Sequence, residues 1–361
     1  MELGKVESPN TILRAIVLIA AFGLLAPLSQ AGAQSPSPYA VETNIHGVYA
    51  YTQPPPGFNP STASAEDLQL YGYPPRPAAN ASAEEVARWK QQVNPALIRV
   101  VPQLKATKIY HRPISGVTIR NSTNVYSSNW SGYALVQGYA RLKSVTGSWM
   151  VPPAQQAFGT CSGTDYVGQW VGIDGFVSSN PRLFQSGSET DAACSSGTTT
   201  TEYYPWVEWL PASEYVLESG GVPLPFAPGD YVIVNVTATN WSGGKSSTGA
   251  LIYTDVTQNW QISGTIPASS IGGTFVVGKS AEWVVEAPEV GASIATLANY
   301  ITVPWFQAST QDGLGNFDYP GLPNDTTAYN VTMVDSIGNP TSHVKLTGAQ
   351  RLWFFDEGSV Y

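Results

Sequence analysis

From about residue 121 to the end of the chain, apolar residues do not recur every three or four positions. They come in short β-branched and aromatic runs broken by Gly, Pro, Ser and Asn. Eleven such runs predict strands: Trp130 to Val136, Val145 to Val151, Tyr166 to Ile173, Tyr203 to Leu210, Tyr231 to Thr239, Ala250 to Asp255, Trp260 to Ile266, Lys279 to Ala287, Tyr300 to Phe306, Ala328 to Val334 and Leu352 to Phe355. Runs of that length and spacing predict an all-β fold, an antiparallel sandwich or barrel. Residues 121–361 are enough for one substantial core.

Within this pattern the run Ser280-Ala281-Glu282-Trp283-Val284-Val285-Glu286 places two carboxylates four residues apart among Trp and Val. Strand side chains alternate faces, so Ala281, Trp283 and Val285 share a core face and Glu282, Val284 and Glu286 share the other. An acid on a half-buried face must be paired, protonated or useful. The plain alternative is two solvated surface glutamates.

Upstream the pattern differs. Lys5 and Arg14 precede an apolar run from Ala15 to Leu28 and then Ala31-Gly32-Ala33, the layout of a secretory signal peptide. The run is too short for a spanning helix and is broken by Gly23 and Pro27, so export with cleavage is expected, and an extracellular product with no later membrane segment. Residues 34 to about 78, with Pro54-Pro55-Pro56 and Pro74-Pro75, read as a linker or extended wrapping segment rather than a core. Ser82-Ala83-Glu84-Glu85 is a capping box that predicts a short helix over Val86 to Gln92.

Charge divides the chain the same way. The protein carries a net charge of −9, distributed as +3 before residue 121 and −12 after it. Arg88, Lys90, Arg99, Lys105, Lys108, Arg112 and Arg120 stand in a stretch with no acid. In an exported chain with an acidic remainder, nucleic acid is a poor partner, and a basic propeptide on an acidic body is the better one, its attraction fading as carboxylates protonate below about pH 4. The expected division is a signal peptide over 1–33, a propeptide over 34–120 and a sandwich domain over 121–361.

The remaining chemistry is limited. Cys161 and Cys194 are the two cysteines and are expected to form one disulfide in an oxidising compartment. With His46, His111 and His343 the only histidines, neither a zinc site nor a Ser-His-Asp triad is expected. No phosphate or dinucleotide fingerprint appears, and no metal or cofactor is expected. Carboxylates remain, for glycoside or acid peptide hydrolysis.

Five stretches, Ser128-Asn129-Trp130-Ser131-Gly132-Tyr133, Trp170-Val171-Gly172-Ile173-Asp174-Gly175, Leu183-Phe184-Gln185-Ser186-Gly187, Trp206-Val207-Glu208-Trp209 and Ala281 to Glu286, stand in an order that resembles the glutamic peptidases, or eqolisins, formerly classed as A4. The resemblance covers about residues 125 to 306. It implies a sandwich of two large antiparallel sheets of the concanavalin A-like lectin and glucanase type, made as an acid-activated secreted proenzyme. It also implies a catalytic pair of Gln185 and Glu286, with Glu282 as the alternative acid. Trp170, Asp174 and Glu208 fall where such enzymes line their groove. The chain departs from the pattern after Gly175, where Pro181 stands and no cysteine, and little resemblance is expected past Phe306. The expected partners are polypeptide substrates and the chain's own propeptide as inhibitor, removed by self-cleavage between about Lys108 and Asn124 to leave a monomer. A two-carboxylate glycoside hydrolase and a carbohydrate-binding module are the alternatives.

Overall fold

The structure is a computed structural model that describes residues 37–79, 81–139, 141–157, 161–177 and 181–358. The expected signal peptide, 1–33, lies outside these residues. The long strands of the sandwich are β1 (Trp130–Gln137), β2 (Leu142–Met150), β3 (Gly168–Ile173), β4 (Phe184–Ser195), β5 (Thr198–Trp209), β6 (Tyr231–Thr239), β7 (Thr248–Asp255), β8 (Trp260–Pro267), β9 (Ser280–Glu286), β10 (Thr302–Asp312), β11 (Thr326–Val334), β12 (Pro340–Gly348) and β13 (Arg351–Asp356).

These strands form two antiparallel layers. The front layer runs β5-β4-β3-β9-β1-β11, and the back layer runs β10-β2-β6-β7-β8. The β12–β13 hairpin joins an edge of each, pairing with β11 on one side and β10 on the other.

Alternation along β9 works as its sequence demands. Ala281, Trp283 and Val285 pack in the core between the layers with Val171, Val234 and Trp305. A buried indole N–H needs an acceptor, and the two layers supply one another. Trp283 Nε1 donates across to the Thr146 carbonyl at 2.8 Å, and Trp149 Nε1 donates from the back layer to Ser188 Oγ at 2.9 Å. All eleven expected strands are present. Strands β4 and β12 are additions; the inner face of β4 carries Ser186 and Ser188 where an apolar alternation would have marked it. The Ser186 hydroxyl is instead satisfied by the Trp206 carbonyl at 2.6 Å. The Cys161–Cys194 disulfide is formed and ties the end of β4 to the segment before β3.

Residues 37–120 are more structured than a linker. Helix α1 (Ala65–Leu70) and helix α2 (Ala83–Gln92) bring Leu68, Tyr71, Tyr73, Trp89 and Val93 into a small core of their own. The capping box of α2 is complete: Ser82 N donates to Glu85 Oε2 at 2.8 Å and Glu85 N donates to Ser82 Oγ at 3.1 Å. The segment then joins the sandwich through main-chain ladders. Tyr49–Tyr51 and Ile98–Arg99 pair with β8, and Gln103–Ala106 pairs with Tyr215–Ser219, which pairs in turn with β5. Lys and Arg pairs between this segment and the rest lie at the rim, Lys105 on Glu218 at 3.4 Å, Arg112 on Glu289 at 2.9 Å and Glu84 on Arg351 at 3.0 Å. Arg88 donates to the Gln307 carbonyl and Ser309 Oγ, while Arg99 lies over the Tyr73 ring.

The fully buried Trp283 ring fills the space between the layers and its N–H satisfies Thr146. Trp283→Ala is expected to cost about 3–5 kcal/mol in urea unfolding of the intact chain. A cost below about 1 kcal/mol would mean that the layers do not depend on this contact.

Candidate active site

The outer face of the front layer is built in rows set by register. Glu208, Gln185, Gly172 and Glu282 lie side by side on β5, β4, β3 and β9. The next row is Trp206, Gly187, Trp170 and Val284, and the third is Tyr204, Glu189, Gly168 and Glu286. Glycines at three of these positions hollow the face. A Cβ on Gly187 would meet the Trp170 Cβ at 2.6 Å, and one on Gly168 would meet His111 Cε1 at 2.6 Å.

That second contact belongs to the segment covering the face. Ile109–Tyr110 pairs with Glu289–Val290, and the chain then crosses the groove. Gln185 Nε2 donates to the His111 carbonyl at 2.7 Å and to Glu208 Oε2 at 2.8 Å, and Glu208 Oε2 also accepts from the His111 N–H at 3.0 Å. Glu286 Oε1 accepts from the Arg112 N–H at 3.1 Å and from Asn129 Nδ2 at 3.3 Å. Its Oε2 accepts from Trp170 Nε1 at 2.8 Å and from His111 Nδ1 at 3.1 Å.

The His111 ring is fully buried and stacks on Trp206 with 3.9 Å between ring centroids and a 4° tilt. Its Nε2 lies 3.1 Å from Glu214 Oε2 and 3.4 Å from Glu189 Oε2. Glu214 in turn accepts from Tyr204 Oη and Thr107 Oγ1, both at 3.1 Å.

Electrostatics follow from burial. Burial alone would push the His111 ring down, but its hydrogen bonds to Glu214 and Glu286 and the nearby Glu189 outweigh it and hold the ring well above its ordinary value. That rise favours the protonated ring, in which both nitrogens can donate to the carboxyl groups they face. Burial lifts Glu286, with His111 and Trp170 opposing the rise. Burial also lifts Glu208 and Glu282 well above the carboxylate range, and lifts Glu189 and Asp191, each further raised by neighbouring acids. Among the described residues, His111, Glu189 and Glu214 have ligand atoms within 4.8 Å of one another, a spacing that could hold a metal ion. A protonated ring is a poor ligand and takes the cation's place itself.

The fold brings Gln185, Glu286, Trp170 and Glu208 into one hydrogen-bonded group. Glu282 shares the row of Gln185 and Glu208, is fully buried there, and has no hydrogen bond to Gln185 or to residues 111–112. Asp174 has a different task, which its backbone explains. It takes φ 70°, and its carboxylate accepts from the N–H groups of Val277, Gly278 and Lys279, fastening the entry to β9. Four participants were not expected: His111, Glu189, Glu214 and Asn129. Asn129 reads as a glycosylation sequon, yet it is buried, orders Ser115 and supports Glu286.

Residues 128–348 match the Peptidase A4 family. The chain is 28% identical over 233 residues to aspergillopepsin-2 of Aspergillus niger, covering 60% of this chain and 74% of that protein. Among solved structures it is similar to scytalido-glutamic peptidase with a peptide-based transition-state analogue, at 19% identity and TM-score 0.46, covering 63% of this chain and 98% of the other. It is also similar to aspergilloglutamic peptidase from Aspergillus niger, at 23% identity and TM-score 0.42, covering 53% and 99%. The family match defines a peptidase, a hydrolase of peptide bonds. The chain belongs to the Peptidase A4 family, and the match runs past Phe306 into β12.

The buried groups set a pH dependence of stability. Glu189, Asp191, Glu208 and Glu282 hold protons in the fold at pH values where an unfolded chain, with carboxyls near about 4, has released them. His111 likewise keeps its proton above the unfolded value of about 6.5. In both cases the folded state binds more protons, so stability falls as pH rises through the raised values. The melting temperature of the intact chain is expected to be higher at about pH 5 than at about pH 8. Circular dichroism, with chain length checked by mass spectrometry, tests this, and the reverse order would contradict it.

Proposed function

We propose that the protein is exported as a precursor, with a signal peptide over 1–33 and a propeptide over 34–120. Residues 121–361 would then be an acid endopeptidase working through Gln185 and Glu286. The observation that carries this reading is that the pair engages both polar ends of one peptide group, the Gln185 amide on a carbonyl oxygen and the Glu286 carboxylate on the adjoining N–H. A two-carboxylate glycosidase has no use for an amide donor in that position.

In the reaction, Glu286 as carboxylate takes a proton from a water that attacks the carbonyl carbon, and it returns the proton to the leaving nitrogen. Gln185 Nε2 donates to the oxygen as negative charge develops there. A neutral donor suits acid conditions, because its strength does not depend on pH. Glu208 aims the Gln185 amide, and the Trp170 indole orients Glu286. Trp170 and Glu208 therefore act by positioning. Asp174 supports the groove through the loop that it fastens.

The segment 109–114 covers this pair, which supports the reading of residues 34–120 as an intramolecular inhibitor. Among the described residues no helix is long and apolar enough to cross a membrane. The enzyme would act outside the cell as a monomer on polypeptides, with neither metal nor cofactor.

Digestion of an unfolded protein at about pH 3 to 4 tests the reading. Folded Glu286→Gln and Gln185→Ala chains are each expected to lose on the order of 10²–10³-fold or more in rate relative to the unsubstituted protein. Full activity in the Gln185 variant would overturn the dyad. The Glu286 variant, by removing the only group that both takes and returns the proton, is expected to fall furthest.

A further inference from the structure

The peptide group engaged by the pair belongs to the chain itself, and the whole stretch around it is bound through its main chain. Before the bond, Thr107 N donates to the Glu214 carbonyl and Glu214 N donates to the Ile109 carbonyl, both at 3.1 Å. After it, Trp130 Nε1 donates to the Arg112 carbonyl at 3.0 Å and Asn129 Nδ2 to the Pro113 carbonyl at 3.3 Å. Ile114 N donates to the Gly175 carbonyl at 3.2 Å and Ser115 N to Asn129 Oδ1 at 2.9 Å. Any polypeptide has the groups for these bonds, so they bind without selecting.

Selection comes from one side chain. The His111 ring lies flat on Trp206, points Nε2 at Glu214 and Glu189, and sits over Gly168, where a Cβ would strike it. Arg112, by contrast, reaches the rim with its side chain one-third exposed. A flat slot ending in the Glu214 and Glu189 carboxyl groups fits a planar ring that carries a hydrogen-bond donor at its far edge.

We infer that His111–Arg112 is the bond the protein cuts in itself, and that the cleft of Trp206, Glu189 and Glu214 selects histidine on the acyl side of bonds in other polypeptides. The inference rests on the reading of Gln185 and Glu286 as the dyad. In the step, a water oxygen bonds to the His111 carbonyl carbon and the bond from that carbon to the Arg112 nitrogen breaks. One water hydrogen passes through Glu286 to the Arg112 nitrogen, and the other stays with the new His111 carboxyl. The products are a fragment ending at His111 and a chain beginning at Arg112, so this cut moves the propeptide boundary from residue 120 to residue 111 and leaves 112–120 on the enzyme.

The full-length protein, purified at neutral pH and brought to about pH 4, is followed by intact mass and N-terminal sequencing. The larger fragment is expected to begin at Arg112. Any other start overturns the inference, as does cutting at this bond in a Glu286→Gln chain, which would assign the cut to another peptidase. The cleft is tested on the peptide Lys108 to Ser115 with the acid-treated enzyme. Replacing its histidine by alanine is expected to lower kcat/KM about tenfold to a hundredfold, the effect of losing hydrogen bonds to a charged group. That ratio is expected to shrink in a Glu214→Gln enzyme, and equal rates for the two peptides would overturn the selection. An acid-treated protein that digests unfolded substrates but starts elsewhere refutes the inference alone. One that digests nothing refutes the dyad as well.

Discussion

A carboxylate withdrawn from water must find a cation, a hydrogen-bond donor or a proton, and the outer face of the front sheet withdraws several at once. Glu189, Asp191, Glu208, Glu282 and Glu286 are all buried there. The groups that compensate them come partly from the sheet itself, the indole of Trp170, and partly from a segment far away in sequence, the His111 ring and the N–H groups of His111 and Arg112. An isolated buried carboxylate costs several kcal/mol, so the groove and the segment lying in it are energetically one unit. The same argument explains why the covering segment does not depend on its exposed ion pairs, since main-chain ladders and hydrogen bonds to buried carboxyl groups hold it independently of them.

The groove exists because two adjacent strands, β3 and β4, give up side chains on one face. Gly168, Gly172 and Gly187 sit where ordinary residues would fill the space, and the freed volume admits the Trp170 and Trp206 rings and a crossing polypeptide. Glycine weakens a strand. Here the loss is offset by the layer behind, where Trp149, Trp283 and Trp305 fill the space between the sheets and Trp149 and Trp283 donate from one layer to the other. Gln185 and Glu286, borne by strands on either side of β3, meet the same peptide group on the face that this back layer supports.

Much of this was legible along the chain, and the limits have physical causes. The period-2 pattern is local, so it placed the strands and correctly divided Ser280 to Glu286 into a core face and an acid face. The capping box at Ser82 is equally local. Strand β4 escaped the same reading because its inward positions are serines that find partners only once β2 and β5 are beside them. The reading of residues 34 to about 78 as a linker or extended wrapping segment rather than a core missed α1 and its small apolar core, because the tyrosines that build it lie among prolines and serines that mimic an extended segment.

By itself the sequence determined the class of fold, the pairing of Cys161 with Cys194, and which side of β9 carries carboxylates, because each follows from composition or from neighbours a few residues apart. Tertiary structure alone decided which acids meet. Glu286 and His111 touch across a separation of 175 residues, and Gln185 and His111 across 74. It also decided that Asp174 fastens a loop and that a sequon asparagine serves the groove instead of the surface. Register across strands and the path of a covering segment are set by the free energy of the whole core and of its buried charges, and no local pattern records them.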